Sequence, residues 1–180
     1  MHTPSDLADL LECEHRSILK QALAAGVPGA PRPSTAPDRL AVKHGRAHEA
    51  ATLERLRDER KTVVEIEEPD QVAAAKATEE ALRAGAPVIY QAVFHDGEFS
   101  GRADFLLRDD QGRYEVYDTK LARHAKPSAV LQLTAYADAL RRAGWPAGPE
   151  MHLLLGDGTK RSLRVDDFLP LLDRLRNRLV

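Results

Sequence analysis

Asp118-Thr119-Lys120 is a D-x-K triplet inside a strand-like run, Arg113–Leu121. Side chains alternate faces along a strand, so Asp118 and Lys120 point the same way. Asp104 lies in the preceding strand-like run, Glu98–Leu107, joined to the first by the turn signal DDQG (Asp109–Gly112). Cross-strand neighbours in such a hairpin come within about 5 Å. Two carboxylates that close repel, and a divalent cation relieves the repulsion. Mg²⁺ or Mn²⁺ prefers oxygen ligands of this kind and keeps waters for chemistry. Lys120 beside the cation can orient or deprotonate an attacking water, or neutralise charge on a scissile phosphate. Together these groups suit metal-assisted hydrolysis of a phosphodiester. Two more groups share the order along the chain: His48 before the strands, and Gln132 with Tyr136 after them. Gln132 and Tyr136 are i and i+4, so a helix presents them on one face. His44 and His48 are also i and i+4, yet no third ligand follows at zincin spacing. GDGTK (Gly156–Lys160) lacks the spacing of a phosphate loop and reads as a hairpin turn, so no ATP motor is expected.

The elements that must position these residues are legible from period and punctuation. Ser5–Ala25 has helical spacing, with Ser5 or Asp6 as its cap and Gly26 as its stop. Val27–Pro37, rich in proline, reads as an exposed loop. Asp38–Arg60 follows as a longer helix carrying His48 and capped by Asp38. Thr62–Ile66 is a short β-branched run, and Asp70–Ala84 a helix ending at Gly85. Val88–Phe94, Glu98–Leu107 and Arg113–Leu121 then form a meander, broken by HDG (His95–Gly97) and DDQG. Pro127 opens a helix to about Ala143. Met151–Leu155 and Arg161–Val165 make a last hairpin, and Asp166–Leu179 a closing amphipathic helix. The outline is a single α/β domain over 1–180 with a mixed central sheet flanked by helices.

Composition narrows the classes. The chain has 180 residues, 26 Lys+Arg against 28 Asp+Glu, and a net charge of -2. Near-neutrality argues against a nonspecific basic coat on nucleic acid but leaves room for a local patch. Arg113, Lys120, Arg123 and Lys126 surround the D-x-K strand, Arg102 precedes Asp104, and Lys43 and Arg46 lie one turn from His48. The acidic excess falls in Glu54–Glu80. A single cysteine, Cys13, excludes a disulfide framework, an all-cysteine zinc site and a four-cysteine iron–sulfur cluster from this chain alone. On an apolar helix it reads as a small buried hydrophobe. No signal peptide is expected. No apolar run approaches the roughly 20 residues of a membrane span. The cytoplasm is the expected compartment.

In sum the motif set resembles the RecB-like branch of the PD-(D/E)XK nuclease superfamily, whose relatives include the CRISPR adaptation nuclease. The opening "SDL…LEC.H" at Ser5–His15 resembles a further group of RecB-family nucleases. The resemblance covers nearly the whole chain and implies a restriction-endonuclease-like fold. It implies that His48, from G-x-x-H-E at Gly45–Glu49, ligates the metal with Asp104, Asp118 and the Thr119 carbonyl. Lys120 completes the D/E-x-K element. The resemblance also implies that Gln132 and Tyr136, as Q-x-x-x-Y, contact or position the nucleic-acid strand; Arg102, Arg123 and Lys126, read from the basic residues above, are further expected binding residues. Some relatives hold an iron–sulfur cluster through one N-terminal and three C-terminal cysteines. Cys13 stands where the first would be, the other three are missing, and no cluster is expected. The implied activity is a Mg²⁺- or Mn²⁺-dependent deoxyribonuclease acting on DNA ends or single strands, in repair or recombination. Two other classes fit the same residues: a catalytically silent nucleic-acid-binding module, and a nuclease domain active only within a larger helicase–nuclease assembly.

Overall fold

The computed structural model describes residues 2–27, 39–59 and 62–179. The proline-rich stretch, apart from Val27, lies outside them, as do the expected cap Asp38 and the helix end Arg60. Among the described residues six strands form one mixed sheet in the order β1 (Val63–Glu65), β2 (Val88–His95), β3 (Ser100–Arg108), β4 (Tyr114–Lys120), β5 (Ala147–Leu155) and β6 (Lys160–Arg164). The expected meander is β2–β3–β4, antiparallel throughout. β1 runs parallel to β2, and β4 parallel to β5. Parallel neighbours need a crossover, and helices supply both: α4 (Gln71–Arg83), capped by Asp70, and α5 (Pro127–Arg142), opened by Pro127. This is the restriction-endonuclease-like mixed sheet flanked by helices.

The sheet buries two unequal faces. The main core lies on the α5 side, with Ile89, Leu106, Val116, Met151 and Leu153 against Leu131, Leu133 and Leu140 of α5. A smaller cluster lies on the other side, where Leu53 and Leu56 of α3 (Arg39–Asp58) cover Val88 and Phe105. Alternation along β4 therefore sends Tyr114, Val116 and Asp118 to the α5 side and Tyr117 to the α3 side. Asp118 continues a row of core residues.

Several boundaries differ from expectation. Ser5–Ala25 is not one helix: α1 (Pro4–Glu12) and α2 (Glu14–Ala24) are separated at Cys13, which is extended (φ -163°, ψ 108°). The cap is Thr3 rather than Ser5 or Asp6. Its hydroxyl accepts from Asp6 N, and Asp6 Oδ2 accepts from Thr3 N at 2.8 Å. The break has a physical cause. Asp9 is only 7 % exposed and is paired with Arg16 and Lys20 of α2. In a continuous helix Lys20 would sit about 16 Å along the axis from Asp9, so only a chain folded back at Cys13 closes this pair. Cys13 is consequently exposed, not a buried hydrophobe. β5 starts at Ala147, four residues before the expected Met151, through a register shift opposite Tyr114–Val116. The closing helix is split into a single 3-10 turn, Val165–Asp167, and α6 (Leu169–Leu179), whose Leu172, Leu175 and Leu179 are buried. Among the described residues no helix is long and apolar enough to cross a membrane.

Candidate active site

The β3/β4 ladder pairs Phe105 with Tyr117, and one step further places Asp104 opposite Asp118. Instead of another ladder bond, Thr119 donates to Asp104 Oδ2 from both its backbone N and its Oγ1, each at 2.7 Å. The middle residue of the D-x-K triplet thus fixes the orientation of the first aspartate. Asp118 is 1 % exposed. Its Oδ2 makes no hydrogen bond of normal geometry, and what faces it is the Lys120 ammonium, with Nζ at 2.6 Å. A buried carboxylate oxygen held only by one charge contact is costly. Burial and the neighbouring Asp104 push the Asp118 carboxyl up to about 7, against the opposing pull of Lys120. Burial alone would lower Lys120, but Asp118, and then Asp104 and Glu49, raise it, so its ammonium stays charged.

Glu49 belongs to the same group. Burial and then Asp104 raise its carboxyl, while Tyr90, Gln91 and Lys120 work the other way. The Gln91 amide donates to Glu49 Oε1. Glu49 is the last residue of the G-x-x-H-E pattern, directly after His48. Its neighbour His48 is turned toward β5, where its Nε2 lies 3.2 Å from the Leu154 carbonyl. A carbonyl only accepts, so Nε2 is the donor, and in the neutral ring Nδ1 keeps the lone pair. A ligating histidine is commonly oriented this way.

Two clefts meet at Leu155. One, of about 540 Å³, lies between the first two helices and the segment from Lys120 into α5, and is lined by Lys120, Gln132, Lys126, His124, Arg16 and Lys20. The other, of about 570 Å³, lies under α3 and holds His48, Thr52, Tyr117 and Lys160. Gln132 therefore shares Lys120's cleft. Tyr136 does not open into it: the ring is 3 % exposed, between Phe94 and Phe99, and its hydroxyl accepts from Gln132 Nε2 at 3.1 Å. Arg102 is half-buried beside Tyr136, its guanidinium on the carbonyls of Ile66 and Glu68 at 3.3 and 3.4 Å. Arg123 and Lys126 are exposed. Arg113 is placed wrongly by proximity in sequence. It precedes β4, about 23 Å of strand from Lys120, and pairs with Asp109 at 2.8 Å.

A second acidic group has no motif in the sequence. Glu115, Glu150 and His152 bring their ligand atoms within 4.8 Å of one another, the one such trio among the described residues. His152 is buried, with Nε2 2.8 Å from Glu115 Oε2 and Nδ1 2.8 Å from Ser162 Oγ. Tyr117 stacks on it at 4.2 Å. The trio could hold a cation if His152 released one of those bonds. The Asp104–Asp118–Glu49 set is looser, each carboxylate resting on its own partner, but it fits a divalent cation on different grounds. Its donors are hard oxygens, and the buried Asp118 Oδ2 has only the Lys120 ammonium against it and no hydrogen bond of normal geometry.

A family model described as the PD-(D/E)XK nuclease superfamily matches residues 3–170. No curated protein matches the chain.

Proposed function

Because the chain belongs to the PD-(D/E)XK nuclease superfamily, we propose that it is a Mg²⁺- or Mn²⁺-dependent deoxyribonuclease of the RecB-like branch. It cuts at DNA ends or in single strands, in repair or recombination, in the cytoplasm. One observation carries the reading: a buried Asp118 opposite Asp104 on the adjacent strand, with the Lys120 ammonium on its otherwise unbonded oxygen. His48, Asp104, Asp118 and the Thr119 carbonyl are the proposed ligands, with Glu49 as a further carboxylate. When bound, the cation supplies Lewis-acid polarisation of the phosphodiester and a water of lowered pKa.

The rest of the chemistry belongs to the protein's own groups. Lys120, held in its charged form by Asp118, neutralises charge developing on the phosphate and orients the attacking water. It does not act as the base. Asp104 cannot swing into solvent, since Thr119 holds its Oδ2 twice. Such fixed geometry lowers the reorganisation needed at the moment of reaction. Gln132 presents its amide in the cleft with its orientation set by the Tyr136 hydroxyl, so Tyr136 places the strand through Gln132. Arg123 and Lys126 take phosphates along the cleft mouth, and Arg102 stiffens the strand that carries Asp104.

The deciding experiment compares cleavage of linear and circular, single- and double-stranded DNA by the isolated chain in Mn²⁺. Asp118→Ala serves as the control. Metal-dependent cutting of linear or single-stranded DNA, absent in the control, is the expected result. A chain that binds DNA and cuts none is a silent binding module, and one that cuts only with an added helicase works within a larger assembly.

A further inference from the structure

β2 departs from regular strand geometry at one residue. Gln91 has φ +58°, the one non-glycine in the left-handed region among the described residues. The β2/β3 ladder skips it: Tyr90 pairs with Phe105 and Ala92 with Ala103, leaving Gln91 at the level of Asp104. Tyr90 packs with the cluster under α3, whereas Ala92, Val93 and Phe94 all join the main core.

Consecutive residues of a regular strand point to opposite sides of the sheet and cannot grip one group. Here they do. The Gln91 amide donates to Glu49 Oε1, and the Tyr90 hydroxyl lies close enough to the same carboxylate to oppose the upward push of burial on it. The left-handed backbone at position 91 brings the two together. If that backbone were the only requirement, glycine would meet it without Cβ strain. The chain instead carries a side chain long enough to reach α3. Glu49 in turn lies within charge range of Asp104 and Lys120.

We propose that Tyr90 and Gln91 are positioning residues, a two-pronged clamp built on a left-handed break in β2 that aims Glu49 into the cation site beside Asp104. The clamp rests on the metal-dependent reading above. Its function is to hold a carboxylate on α3 in register with carboxylates on β3 and β4, which come from separate elements and share no backbone bond with that helix.

The test is calorimetric titration of the full chain with Mn²⁺, following the binding that Asp118→Ala removes, alongside thermal melts. Gln91→Gly relieves the backbone and removes the amide. It should keep or raise the melting temperature while weakening Mn²⁺ roughly tenfold, the size typical of losing a group that orients a ligand. Gln91→Asn tolerates the left-handed backbone but is one methylene too short, and should weaken Mn²⁺ similarly. Wild-type Mn²⁺ affinity in both variants overturns the clamp, as does an unaltered affinity in Glu49→Gln. Unfolding of both position-91 variants also overturns it, since the residue would then serve the fold alone. A wild-type chain that shows no Asp118-dependent Mn²⁺ binding fails at the earlier step, the nuclease reading itself.

Discussion

Asp118 is a carboxylate kept out of water beside a second carboxylate, with one ammonium to offset both. Removing either member of the Asp118–Lys120 pair should remove the proposed activity without opening the core broadly, because both lie at the end of β4. Asp118→Ala and Lys120→Ala are expected to abolish Mn²⁺-dependent cleavage while circular dichroism stays native. Cleavage at wild-type rates by both variants would dismiss the site. A second prediction concerns pH. The folded carboxyl titrates at about 7, above the ordinary value of about 3.9. The folded state therefore binds the proton more tightly than the unfolded one. Stability contributed by this group is full below about pH 4, and it is lost as pH rises through the folded value near 7. In EDTA the melting temperature should fall between pH 5 and pH 8, and Asp118→Asn should flatten that fall. An unchanged slope in Asp118→Asn would assign the pH dependence elsewhere.

Elements hold the site through close approaches that only glycine permits. Gly101 in β3 faces the Tyr136 ring, and a Cβ there would stand 2.6 Å from Cε1 and 3.1 Å from Pro4. The ring is wedged between Phe94 and Phe99 and has nowhere to retreat. Gly156, at the end of β5, is tighter still: a Cβ would meet the Leu121 carbonyl oxygen at 2.3 Å and its carbon at 2.9 Å. Leu121 directly follows Lys120, so backbone displaced here moves the D-x-K strand. Overpacking of this kind costs about 1–3 kcal/mol. Gly101→Ala and Gly156→Ala should both lower the urea midpoint, and Gly156→Ala should also lower kcat. Equal loss of stability with kcat intact in Gly156→Ala would uncouple that turn from catalysis.

Across the whole molecule, a net charge of -2 coexists with a cleft edged by Arg16, Lys20, Lys120 and Lys126. Arg16 and Lys20 are already committed to Asp9, so under the proposed function phosphate attraction falls to the exposed Arg123 and Lys126. Reversing them, as Arg123→Glu with Lys126→Glu, should raise KM for DNA several-fold and leave kcat near wild type. The slope of binding against salt should become shallower by about one unit per lost phosphate contact. A fall in kcat with KM unchanged would move these residues out of substrate binding and into the chemistry.

Local chemistry made a large part of this legible in the chain itself. Turn signals at His95–Gly97 and Asp109–Gly112 and the strand period marked the meander, Pro127 and Asp70 marked helix starts, and alternation put Asp118 and Lys120 on one face. These are short-range properties, written in residues two to four apart. The tertiary structure alone decided what depends on distant partners. Cys13 breaks the first helix because Asp9 draws α2 back over α1. Arg113 sits near Lys120 in the chain and a strand's length from it in space. Tyr136 is buried because Gly101 leaves room for its ring. Gln91 and Glu49 are 42 residues apart, and their contact depends on a left-handed backbone angle at a residue type that gives no sign of it. Periodicity records which face a side chain takes; it carries no record of which residue from another element arrives to meet it.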